Sequence, residues 1–280
     1  MSQRFILGIG SGRCGTLSLA PENGGYKDKR DIQAAAKLKS GFEKLISDIG
    51  KMVNRAQGTD LVRAPGGGRG PGQVNRQIYG SSDENPIVGS DGSVHETLPS
   101  KSAYEIAEEQ FALIQKTIGA DGKKLKDGQV YRVLLVGHSW GGDKAIEVAN
   151  ILGTMLACDP DLGPLYEKGE DKIQIHLITL DAIEQGTAKP SSRKIDKGNG
   201  VHVASWLNLR QTTDTGFGIL IPLNGGSFPG FDDDHTERVD GLLAALKGDA
   251  QGDKNGRHAL MPGQKDVIGR ILGFLRPPEK

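Results

Sequence analysis

An excess of charge of either sign is the first thing this chain lacks. Lysine plus arginine number 35 and aspartate plus glutamate also 35, so the formal net charge is zero. Nucleic-acid modules usually carry a basic surplus, which excludes a polyanion held by bulk electrostatics as the main partner. Cysteine is nearly absent. Cys14 and Cys158 are the only two, too few for a disulfide framework, and two buried free thiols are expected in preference to one bridge. Aromatic residues make up 5% of the chain, which leaves an aliphatic core. No apolar run approaches the roughly 18 residues that read as a membrane span. The N-terminus is a poor secretory leader, because its apolar stretch is short and Arg13 interrupts the residues beyond it. The expectation is a cytoplasmic protein, or the mature form of a secreted one whose leader has been removed.

Glycine, by contrast, is abundant: 41 of 280 residues, well above the usual roughly 7%, spread over loops and not over a repeat. The length suits one α/β domain with an insertion. Strand patterns fall at Arg4–Ile9, Val130–Val136, Ile173–Leu180 and Val201–Leu207. The second, "VYRVLLV", is the clearest, a near-continuous apolar run ended by glycine, as a buried parallel strand should be. Helical patterns lie between them. Ile32–Val53 is one, broken near Ser40 and Gly41. Ser102–Ile118 lines up Tyr104, Ala107, Phe111, Ile114 and Ile118, and Asp143–Leu156 lines up Ala145, Val148, Ala149, Leu152 and Met155. Gln264–Leu275 carries Val267, Ile268, Ile271, Leu272 and Leu275 before Pro277 and Pro278 stop it. This alternation predicts a mostly parallel central sheet with helices on both faces. Residues 63–100, opening "RAPGGGRGPGQ", and residues 208–257, with one helical pattern at Arg238–Lys247, read as irregular insertions bordering a site. Neither can build its own core, so residues 1–280 form a single domain with no separate cap.

The chemistry is carried by "GHSWGG", residues 137–142, placed straight after the best strand and straight before an amphipathic helix. This is G-x-S-x-G in the strand–turn–helix context that gives it meaning. Ser139 must sit on a strained turn so that its hydroxyl leaves the sheet. Gly137 and Gly141 are small because side chains there would collide with the neighbouring strand and helix. The next helix turns its partly positive N-terminus toward the serine, and the Trp140 N–H becomes an oxyanion donor. "LLVGHSWGGDKAIEVAN" resembles the nucleophile region of the α/β-hydrolases, esterases and lipases above all. The resemblance implies a serine, acid, histidine triad in that chain order.

A later strand must deliver the acid to the same sheet edge. "IQIHLITLDAI" ends at Asp181 and is the first choice; Asp214 in "LRQTTDTG", after the next strand, is the rival. Among six histidines, His138 lies inside the elbow and points away from the serine hydroxyl. His176 and His202 sit in strand patterns as ordinary sheet residues, and His95 precedes the serine against the family order. His258, in "NGRHALMPGQKDVIGRIL" just before the last helix, is the expected base, and His235 in "FDDDHTERVD" the alternative. His258 would then take the Ser139 proton, Asp181 would orient the imidazole, and an acyl-enzyme would form and be hydrolysed.

The opening "FILGIGSGRCGTLSLA" resembles two things. One is the phosphosulfate-binding loop of sulfotransferases, a strand, glycine turn and helix start that cradles a phosphate. The other is the oxyanion loop of a hydrolase, with Gly10 as the second N–H donor. A sulfotransferase should also show a later strand followed by an Arg and Ser pair, which is not found, and no Gly-Lys-Ser/Thr closes a Walker turn. The cluster Asp232, Asp233, Asp234 and His235 reads as a solvated acidic turn, so neither a metal nor another cofactor is expected. The chain is therefore read as a serine hydrolase of carboxylic esters, small-molecule or lipid. A nucleotide-binding sulfotransferase-like protein and a non-catalytic binding protein on the same fold are the alternatives.

Overall fold

The computed structural model describes residues 2–9, 44–46, 48–49, 76–79, 101–119, 122, 130–167, 172–184, 191–210, 236–238 and 261–275, with 2–9, 76–79 and 236–238 described by their backbone. Six strands are present among them: β1 (Ser2–Ile9), β2 (Arg76–Tyr79), β3 (Val130–His138), β4 (Ile173–Leu180), β5 (Ser205–Arg210) and β6 (Thr236–Arg238). The helices are α1 (Ala103–Ile118), α2 (Trp140–Cys158), the single turn α3 (Gly163–Tyr166) and α4 (Lys265–Leu275). Residues 44–46 and 48–49 are also helical.

Why β3 forms is plain from its composition. Its β-branched and aliphatic residues suit a pleated surface buried on both sides, and seven of its nine residues are buried. Every strand pairing is parallel, in the order β2-β1-β3-β4-β5-β6. Alternation along the strands then sorts side chains into two cores. Val133, Leu135, Ile175, Leu177 and Trp206 pack with α1 and α2 through residues such as Ile106, Ile114, Val148 and Leu152. Leu134, Val136, Ile178, Leu180, Leu207 and Leu209 pack on the other side with Leu45, Ile46, Ile49, Val267, Ile268 and Ile271. Helices therefore cover both faces of a parallel sheet, as the sequence pattern requires of an α/β protein.

Several details differ from expectation, each for a visible reason. β5 begins at Ser205, not Val201. The Tyr166 hydroxyl donates to the His202 carbonyl (2.6 Å) and accepts from its N–H (3.0 Å), so a side chain satisfies the backbone where a strand ladder was expected. His202 accordingly precedes the strand and stacks on Tyr166. Two segments read as irregular insertions without a strand each contribute one, β2 and β6. At four and three residues they are too short to show a period. Arg238, expected to open a helix, ends β6; the rest of that helical pattern lies outside the described residues. Tyr104, placed on the apolar stripe of α1, is 55% exposed, and the buried stripe runs through Ile106, Ala107, Gln110, Ile114 and Ile118. Cys158, expected buried, is a free and exposed cysteine at the end of α2. Cys14 lies outside the described residues, as does most of the Ile32–Val53 pattern.

Candidate active site

The chain order places a topological switch between β1 and β3, since β2 lies on one side of β1 and β3 on the other. Open α/β sheets bind their ligands at such a point, outside the carboxyl ends of the strands. β3 ends there at His138, and Ser139 comes next at φ 56° and ψ −128° before α2 starts at Trp140. That φ is one a side chain rarely adopts. Ser139 is held in it from both sides of its peptide. Its N–H donates to the Leu180 carbonyl (3.0 Å), while its own carbonyl accepts from the N–H groups of Gly142 (2.9 Å) and Ile183 (3.0 Å).

The turn is also cramped. A β-carbon on Gly137 would lie 2.3 Å from the Gly141 carbonyl oxygen, and one on Gly142 would lie 2.7 Å from the Ala182 β-carbon. Gly142, unremarked in the sequence, is thus where the elbow rests on the turn after β4. Ser139 is buried (5% exposed), not out on open surface. Trp140 is the first residue of α2, which places its N–H at the helix end with partial positive charge.

Asp181 comes directly after β4 and is itself at positive φ, 45°. It is 4% exposed, and its N–H donates to the Leu209 carbonyl (2.7 Å). The two bonds from Ser139 to Leu180 and Ile183 bracket Asp181, so the turn after β3 and the turn after β4 form one hydrogen-bonded unit. Register carries the same row onward. His138 pairs with Leu180 and Leu180 with Leu209, so Ser139, Asp181 and Arg210 stand abreast at three neighbouring strand ends. Arg210 is buried (5% exposed), and burial lowers its guanidinium to about 10 against the opposing pull of Asp181; it remains a cation at neutral pH. Sequence reasoning missed it. A single arginine closing an apolar strand looks like a surface stop, and only the register sets it beside Asp181.

Beneath this row a buried polar chain ties β4 to β5. Trp206 Nε1 donates to Thr179 Oγ1 (3.0 Å), which donates to Asn208 Oδ1 (2.9 Å). At the start of α2, Asp143 is buried and accepts from the Ser191 hydroxyl and from Arg193 Nε (3.2 Å) and Nη2 (3.3 Å). Lys144 is 1% exposed, with its Nζ donating to the Lys101 carbonyl (2.5 Å). These contacts fix the helix that faces the serine.

β1 ends at Ile9 abreast of Gly137, two residues before Ser139. Gly10 itself, the bases considered (His258 and His235), the rival acid Asp214 and the acidic turn at 232–235 lie outside the described residues. His176 engages Ser205 Oγ (2.7 Å) and Gln174 Oε1 (3.2 Å). It pairs with Leu134, five positions before Ser139 and about 16 Å away along the strand at 3.3 Å per residue. It is thus a sheet residue, as expected. Among the described residues no group of three or more His, Cys, Asp or Glu side chains is placed to hold a metal ion, and no helix is long and apolar enough to cross a membrane. No family model and no curated protein matches the chain.

Proposed function

We propose that this chain is a serine hydrolase of the α/β-hydrolase fold, cleaving carboxylic esters through an acyl-enzyme. The observation that carries the reading is Ser139 at positive φ between a parallel strand and a helix N-terminus, hemmed in by Gly137 and Gly142. A serine that merely caps a helix has no need of that conformation, whereas a nucleophile does, because it lifts the hydroxyl clear of its own backbone.

In this reading His258 accepts the Ser139 proton as the oxygen attacks the ester carbonyl. The Trp140 N–H and a glycine-loop N–H, Gly10 by first choice, hold the oxyanion. The imidazolium then protonates the leaving alcohol, and water repeats the sequence on the acyl-enzyme. His258 stands three residues before Met261, whose side chain is anchored in the second core at the entry to α4. A helix that returns along a parallel sheet starts near the carboxyl edge, where the serine is. Asp181 is the acid of choice, because its peptide is locked to that of Ser139; Asp214 is the rival. The sequence carries no helical cap pattern, which suits an esterase or lipase.

The test is active-site labelling with a fluorophosphonate, together with turnover of p-nitrophenyl esters of increasing chain length. Wild-type protein is expected to be labelled at Ser139 and to hydrolyse at least one ester. Ser139→Ala should lose both, by roughly a million-fold in turnover if the triad acts as a unit. Equal trace turnover in the two proteins would favour a binding protein. Thermal protection by an adenosine bisphosphate in place of labelling would favour the nucleotide-binding reading.

A further inference from the structure

The Ser139, Asp181 and Arg210 row asks for an explanation that a two-residue hydrolase site does not supply. A carboxylate buried to the extent of Asp181 is unstable as an anion unless a cation or several donors lie beside it. Arg210 occupies the next strand end in register, equally buried, and its guanidinium feels the Asp181 charge. The juxtaposition is not left to chance. The Asp181 N–H bonds the carbonyl of Leu209, the residue before Arg210. Two positions lower, Thr179 and Asn208 are joined side chain to side chain. A carboxylate has about four lone-pair sites on two oxygens, enough to accept from a guanidinium and an imidazole together. Arginine suits this place better than lysine, since a guanidinium keeps its charge when buried where an ammonium readily loses its proton.

We propose that Arg210 is a positioning residue of the active site: its buried charge at the neighbouring strand end keeps Asp181 an anion, and so it acts on Ser139 only through Asp181. The inference rests on the hydrolase reading and on Asp181 as the acid.

The experiment is a double-mutant cycle on the full chain, read as the second-order rate of fluorophosphonate labelling of Ser139, with circular dichroism verifying the fold of each variant. Asp181→Asn should slow labelling by up to about ten-thousand-fold, as wrong-tautomer variants of other triads do. Arg210→Met should slow it by a smaller factor, on the order of ten- to a hundred-fold, and Arg210→Lys should recover part of that loss. The double variant Asp181→Asn with Arg210→Met should label no more slowly than Asp181→Asn alone. If Arg210→Met does not fold because it strands a buried carboxylate, the double variant removes both charges, and its comparison with Asp181→Asn decides the matter. Three results overturn the proposal while leaving the hydrolase reading intact. They are wild-type labelling in folded Arg210→Met, wild-type labelling in Asp181→Asn, and a double variant much slower than Asp181→Asn. Absence of labelling in the wild-type chain would remove the hydrolase reading itself, and this inference with it.

Discussion

A β-carbon at φ 56° and ψ −128° crowds its own backbone, and Ser139 stays there only because three hydrogen bonds and two cramped glycines leave it no alternative. Conformations of this kind carry about 1–3 kcal/mol of strain. Ser139→Gly relieves it and Ser139→Ala does not, although both remove the hydroxyl. The glycine variant also gains unfolded-state entropy, which opposes folding by about 0.4–1 kcal/mol. Urea titration is therefore expected to find Ser139→Gly more stable than Ser139→Ala by about 1 kcal/mol, with neither labelled by a fluorophosphonate. A glycine variant less stable than the alanine one would mean that the turn is unstrained. The strand-end positions of Ser139 and Asp181 were legible in the sequence, Ser139 through G-x-S-x-G in its strand–turn–helix setting and Asp181 through the apolar run it ends. Arg210 was not, because its meaning depends on which strand lies next to which, and no local pattern encodes that.

Elements obey the same division between local and non-local information. α1 announces itself through a capping box. Ser102 Oγ accepts from the Glu105 N–H (3.2 Å), and Glu105 Oε2 accepts from the Ser102 N–H (2.7 Å). Both bonds lie within four residues of sequence, so the helix start is encoded locally, and the periodic pattern placed it one residue early, at Ser102. Ser102→Ala is expected to cost about 1 kcal/mol, a typical value for an N-cap, measured as a lower denaturation midpoint with an unchanged slope. β3 and β4 were legible because long runs of β-branched and aliphatic residues leave few other fates. The start of β5 was not, because Tyr166 captures the backbone of His202 from 36 residues away. β2 and β6 show no signal of their own; they are strands because a longer neighbour offers them an edge. Lys144 and Asp143 look like a solvated charge pair on a helix, yet both are buried, each satisfied by a loop distant in sequence.

For the molecule as a whole, the larger core contains two tyrosines, Tyr131 and Tyr166, and both phenols are pushed up by burial. Tyr166 reaches about 12 from an ordinary 10, with the hydrogen bond it accepts from the His202 N–H a weaker opposing effect. The consequence for stability has a definite sign. Below the unfolded value both states hold the proton and the contribution is complete. Above it the unfolded chain ionises while the native one does not, so stability falls as pH rises from about 10 to 12. The slope for one such group approaches about 1.4 kcal/mol per pH unit. Tyr166→Phe should be less stable at pH 8 by about 1–3 kcal/mol, because the His202 N–H loses its acceptor, yet decline less steeply toward alkaline pH. Equal alkaline slopes in the two proteins would show that the phenol is not protected.

The sheet order has a further consequence, in time and not in energy. β1 precedes both of its neighbours in the chain yet lies between β2 and β3, and Ser2 pairs with Val130. A ribosome must therefore release residues 10–129 before β1 finds the neighbour that flanks it along its whole length. Until then an apolar ribbon waits without its partner, the situation in which nascent chains aggregate or recruit chaperones. A strand made before both of its neighbours is seated along its full length only when the later of them arrives.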